Sequence, residues 1–117
     1  MSRPGFALWR KVLVATLPAD LSPGVLDALW TEGLAAVRDR RAQGLVLDAS
    51  AVDVMDAGDW AALCGALRAA ALLGARGAVA GLRPGLVHAL IELGAPGDGV
   101  RAFGDVESAV AALGGDR

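Results

Sequence analysis

The chain has 117 residues, which fits one domain spanning residues 1–117 around a single small core. Eleven Lys and Arg against 13 Asp and Glu leave a formal net charge of -2, without the basic footprint that nucleic acid favours, and no charge-free apolar run is long enough for a membrane span. Hydrophobic residues make up 55% and aromatics only 4%, so Ala, Val and Leu must build the core, and so apolar a short chain suits a domain that also buries surface against other molecules.

Phe6 to Trp9 and Val12 to Leu17 read as two extended pieces, with Arg10-Lys11 at a turn or edge between them and Pro18 stopping the second. Ser22-Pro23 is a helix start, a serine N-cap followed by proline at the first helical position. Val25, Leu26, Leu29, Trp30, Leu34 and Val37 recur at helical spacing and predict a helix to about Arg41, with Arg38, Arg40 and Arg41 complementing the dipole in its last turn and Gln43-Gly44 ending it.

The stretch from Gly44 to Leu73 organises the rest. Leu45-Val46-Leu47 predicts a strand buried on both faces, and a loop with four aspartates, Asp48, Asp53, Asp56 and Asp59, follows it. Trp60 to Leu73 then reads as a helix whose only ionisable side chain, Cys64 aside, is Arg68. A helix apolar on nearly every side is expected to set one face on the sheet and offer the other to a partner. Gly74 suits its C-cap, and Gly77 to Ala80 is another short strand. A helix from about Pro84 to Leu93 has Leu86, Leu90 and Leu93 as its inner line, and Pro96 to Gly99 forms a loop. Val100 to Phe103 predicts the last strand, and Asp105 caps a final helix with Val106, Val110 and Leu113 on its face before the tail from Gly114. The order β-β-α-β-α-β-α-β-α implies an α/β fold: a mixed, mostly parallel sheet of about five strands with about four helices.

Much chemistry is excluded. The only lysine, Lys11, follows no glycine-rich loop, and no GxGxxG opens a helix after a strand, so the nucleotide-binding signatures are absent. One histidine, His88, and one cysteine, Cys64, make no zinc pattern and no disulfide framework, and Cys64 inside the apolar helix reads as a small core residue. The aspartates of the loop lack calcium-loop spacing, so neither a metal nor another cofactor is expected; Asp56 orders the loop, and Asp59 serves the cap or first turn of the next helix. No apolar segment after Arg3 resembles a signal peptide, which with the lone cysteine points to the cytoplasm.

Leu45-Val46-Leu47-Asp48-Ala49-Ser50-Ala51-Val52, followed by Met55-Asp56, resembles the central signature of STAS domains, the fold of anti-anti-sigma factors. Gly81-Leu82-Arg83-Pro84 with Ile91-Glu92-Leu93-Gly94, and the helix end Leu72-Leu73-Gly74-Ala75-Arg76, are similar to the branch found in bacterial stressosomes. The likeness spans almost the whole chain, and the short scaffold and kinase-antagonist members look closest. The resemblance implies a non-catalytic partner switch: an unphosphorylated STAS domain holds a small kinase related to anti-sigma factors, or other STAS proteins in a homo- or hetero-oligomer. Phosphorylation of a Ser or Thr directly after the loop aspartate then adds up to about two negative charges inside the contact and separates the partners.

Here the residue after Asp56 is Ala57, and the second acceptor position of the family's sensor-bearing members falls on Ala89. Neither carries a hydroxyl; the nearest, Ser50, stands where the family uses a strand-to-loop turn. Two readings follow. Ala57 resembles the permanently unphosphorylated state, so capture is constitutive; or Asp59 supplies a fixed charge that imitates a weak phosphorylated state. The candidate partner-binding residues are Asp56, Gly58, Asp59, Trp60, Ala61 and Arg68, with Trp60 either an interface anchor or a core residue. Ala61, Ala62, Gly65 and Ala69 are small enough for a partner's backbone to approach. An accessory STAS subunit of a membrane transporter, or a STAS domain that binds a small ligand, are the alternatives.

Overall fold

A computed structural model describes residues 3–92, 94 and 100–114. Among the described residues five strands lie in sequence order across one sheet: β1 (Gly5–Trp9), β2 (Val12–Thr16), β3 (Gly44–Asp48), β4 (Arg76–Ala80) and β5 (Arg101–Phe103). β1 and β2 form an antiparallel hairpin with Trp9 opposite Val12, and β2 to β5 run parallel, Val12 level with Gly44 and Gly44 level with Arg76. Arg10 and Lys11 make the two-residue turn of the hairpin with φ of 54° and 66°, the left-handed pair that a type I′ connection demands.

The helices are α1 (Pro23–Ala28), α2 (Leu34–Asp39), α3 (Ala57–Leu72), α4 (Pro84–Glu92) and α5 (Val106–Gly114). A π-helical turn, Leu29–Gly33, joins α1 to α2 without leaving right-handed helical geometry, so the two act as one rod. The sequence explains the turn. Val25, Leu29, Gly33 and Val37 are all buried and spaced by four. In an α-helix each four-residue step overshoots a full turn by about 40°, and the wider π turn brings the row back onto one face.

Because β2 to β5 are wound in one direction, their connecting helices fall on one side of the sheet. That side holds the larger core, with Leu13, Ala15, Leu45, Leu47 and Val79 of the strands under Val25, Leu29, Val37, Leu63, Leu67, Leu86 and Leu90. The other side pairs Val12, Val14, Val46, Ala78 and Ala80 with Ala109, Val110 and Leu113 of α5. The near-continuous apolar runs of β2 and β3 are therefore buried on both faces, as the composition requires.

Several boundaries differ from the sequence expectation. The first rod ends at Asp39, because Arg41 takes φ of 53° and Ala42 N–H bonds back to the Val37 carbonyl, closing the helix two residues early. Gly74 closes α3 in the same way with φ of 94°, Ala75 N–H reaching the Ala70 carbonyl. β1 begins at Gly5 and β4 at Arg76, while Leu17 lies just beyond β2 yet still donates to the Asp48 carbonyl. The expected positions of Leu93 in α4, of the Pro96-to-Gly99 loop and of most of the tail lie outside the described residues.

Candidate partner-docking site

The site is built where β3 hands over to α3. Asp48, at the end of β3, accepts from the Ser50 N–H (3.0 Å) and the Ser50 hydroxyl (2.8 Å), which turns the chain out of the sheet. Ser50 backs directly onto Gly81, whose φ is +77° and where an added Cβ would lie 2.9 Å from Ser50 Cβ and 3.2 Å from its Cα. Asp53 pairs with Arg83 at 3.0 Å, tying the loop to the segment before α4, and Asp53 N–H donates to the Ala19 carbonyl. Val52 and Met55 point inward and are buried, whereas Val54 between them is 75% exposed.

Asp56 then caps α3. Its carboxylate accepts from Asp59 N–H at 2.7 Å, and the Asp59 carboxylate accepts from Asp56 N–H at 3.1 Å, a reciprocal capping box. The four aspartates are thus employed in a turn (Asp48), an ion pair (Asp53) and a shared cap (Asp56 and Asp59). Among the described residues no three or more His, Cys, Asp or Glu gather as a metal site.

On α3 the helical period decides what faces where. Trp60, Leu63, Cys64, Ala66, Leu67 and Ala70 are buried, while Ala57, Gly58, Ala61, Arg68 and Leu72 are exposed, Leu72 at 90%. The outer stripe from Ala57 through Ala61 and Arg68 to Leu72 is therefore small and apolar apart from one cation. Of the candidate partner-binding residues, Asp56, Gly58, Ala61 and Arg68 are exposed, and Asp59 is half-buried in the cap. Ala57 and Ala89 are exposed too, at the first position of α3 and on the outside of α4.

Trp60 is placed differently. It is 7% exposed, a core residue on the sheet side of α3 rather than a projecting anchor. With Leu82, Val87, Leu90, Ile91, Val100 and Ala102 it lines a cavity of about 200 Å³ between α3, α4 and β5. Cys64 is buried, and that burial pushes its thiol pKa up, with the Arg68 charge an opposing but smaller influence. Such a thiol packs rather than reacts.

Gly65 is also taken from within. Trp30 of the π turn lies across it, so an added Cβ would sit 2.9 Å from the Trp30 ring, and the Trp30 indole N–H donates to the Ala62 carbonyl at 3.2 Å. The close approach expected from a partner's backbone is made at this point by the chain's own indole, which stays 39% exposed beside the stripe. Spacing alone puts Trp30 on the buried line of its helix; the glycine in mid-helix is the sequence signal that something large lies over α3.

No family model and no curated protein matches the sequence. Solved structures do. RsbS from Moorella thermoacetica, in a Ser-to-Glu variant, superposes with a TM-score of 0.80 at 24% identity, covering 96% of this chain and 95% of that one. A chain from the molecular architecture of the stressosome, described as a signal integration and transduction hub, gives 0.79 at 23% identity over 93% and 95%. An anti-sigma-factor antagonist (STAS) domain protein from Planctomyces limnophilus gives 0.76 at 15% identity over 96% and 98%. The chain has the STAS fold. At these identities the likeness establishes the fold of the chain and the match of its elements over nearly its whole length. Among the described residues no helix is long and apolar enough to cross a membrane.

Proposed function

We propose that this STAS domain is a non-catalytic, cytoplasmic partner-switching regulator, an anti-sigma-factor antagonist or stressosome-type scaffold. It binds a switch kinase, an anti-sigma factor or other STAS proteins through the exposed start and outer stripe of α3. The observation that carries this reading is the exposed corner Asp56-Ala57-Gly58 leading into the bare stripe of Ala61, Arg68 and Leu72. Apolar, nearly uncharged surface on an otherwise well-packed helix suits a protein partner.

Ala57 leaves the corner without a phosphate acceptor. The Asp59 carboxylate is folded back onto Asp56 N–H, which favours constitutive capture over a built-in imitation of phosphate. A negative group at a helix start that is occupied by its own backbone donor presents less charge to a partner than a projecting phosphate does. Ser50 is a poor substitute acceptor, since its hydroxyl is held by Asp48 and its backbone is pressed on Gly81.

The test is co-purification of the full chain with the products of neighbouring genes, followed by sedimentation of the mixtures. Capture of a switch kinase, an anti-sigma factor or another STAS protein, weakened by Ala61→Glu with unchanged circular dichroism, is the expected result. Binding that appears only in Asp59→Ala would overturn constitutive capture, and exclusive binding to a transport ATPase or permease would move the protein to the transporter-accessory class.

A further inference from the structure

The cavity beside Trp60 has its origin in one small residue. Ala102 of β5 pairs with Val79 of β4 and shares its face of the sheet, under α3 and α4. Phe103 goes to the opposite face, against α5. A strand position that meets two helices with a single methyl group leaves a hole, here of about 200 Å³. Trp60 and Leu90, both buried, form its floor. Val87 and Ile91 stand exposed at its rim, so the hole opens to solvent along α4.

Size limits what fits. A dry apolar cavity of about 150 Å³ takes up benzene, so this one has room for a substituted ring or a fused pair of rings. It is smaller than the roughly 300 Å³ and more of ordinary cofactor sites, which excludes nucleotides and long acyl chains. Chemistry narrows the occupant further. All seven lining side chains are apolar. The ionisable groups around them are engaged elsewhere: Arg83 with Asp53 at 3.0 Å, His88 Nε2 with Glu92 at 3.3 Å, and Arg101 over the Phe103 ring at 5.2 Å. An ionic ligand would lose its water and gain no partner. An aromatic ring instead meets the Trp60 side chain, and ring-on-ring contact adds to what apolar area alone provides.

We propose that this cavity is a binding site for a small neutral aromatic molecule of one ring or two fused rings. Trp60 directly precedes Ala61, so the occupant bears on the helix that carries the exposed stripe. The proposal stands on the cavity alone, and no protein partner is needed to test it.

Titration of the isotope-labelled full chain with indole, toluene and benzoate, followed by NMR, decides it. Indole and toluene shift the amide signals of Trp60, Leu82, Leu90 and Ala102 saturably, and benzoate does not. At ten times its dissociation constant, indole raises the melting temperature by about 5 °C. Ala102→Leu fills the hole from the strand and Val87→Phe from the rim; each keeps the wild-type circular dichroism and weakens indole binding at least tenfold. Absence of saturable shifts up to the solubility limit of both neutral probes refutes the proposal. So do shifts centred away from the cavity, benzoate binding as tight as that of toluene, or unchanged indole affinity in a folded filled variant. Should both neutral probes fail while Ala102→Leu weakens capture of a protein partner, the cavity is the seat of a partner's side chain instead.

Discussion

Gly81→Ala is the substitution the site tolerates least. Gly81 holds φ of +77°, where an L side chain costs about 1–2 kcal/mol. The new Cβ would also press on Ser50 Cβ at 2.9 Å and on the Ser50 Cα and N at 3.2 Å. Two of those atoms are backbone, pinned by the bonds of Asp48 to Ser50 and of Ala49 N–H to the Ala80 carbonyl, so the neighbour has little room to yield. Overpacking of this kind costs about 1–3 kcal/mol. Together the two effects come to about 2–5 kcal/mol, which for a domain of this size lowers the melting temperature by roughly 8–20 °C at about 4 °C per kcal/mol. Urea unfolding followed by circular dichroism measures it. Adding Ser50→Gly removes one of the contacts, so the double variant regains part of the loss while the left-handed backbone penalty remains. A Gly81→Ala protein within 0.5 kcal/mol of wild type would refute the packing of the loop against the β4 end.

Other substitutions report on other parts of the fold. Trp60→Ala empties a core position and should cost about 3–5 kcal/mol, whereas Ala61→Glu on the exposed stripe should change unfolding free energy by less than about 0.5 kcal/mol; equal effects in urea titrations would contradict the assigned faces of α3. Arg41→Gly relieves the left-handed residue that ends α2 and should add about 0.5–1 kcal/mol, seen as a raised midpoint with an unchanged slope. Asp105 accepts from Ser108 N–H at 2.7 Å, which holds its carboxyl below the ordinary carboxylate value. A lowered folded-state pKa contributes stability that is present above the unfolded value and fades as pH falls through the folded one. Acid titration by NMR should therefore show Asp105 protonating later than a free aspartate, with loss of α5 protection on the acid side of that range.

How much of this was legible beforehand depends on sequence distance. The β3-loop-α3 unit could be read locally, because Asp56 and Asp59 announce a cap by their spacing and Leu45-Val46-Leu47 announces a two-faced strand. The parallel order of strands followed from alternation with helices. What stayed hidden needed contacts between remote segments. Trp30 and Gly65 meet across 35 positions, so the glycine looked like an invitation to a partner when it was a seat for an indole. Trp60 resists assignment from its own neighbours, since an apolar helix has no polar face to set its orientation; only packing in the core with remote residues such as Leu86 and Leu90 places it inside. Regular helical spacing does not disclose the π turn, though a buried row repeating every four residues is its trace.

The most direct trial of the docking account is calorimetric titration of a captured switch kinase, anti-sigma factor or STAS partner with wild type and with Ala57→Glu. An acid at the first position of α3 favours the helix through its dipole, so the fold is not put at risk. If the exposed corner is the contact, wild type binds without any modification, and the added charge weakens binding by tenfold or more while the melting temperature holds or rises. Equal affinity for the two proteins would place the contact elsewhere on the molecule.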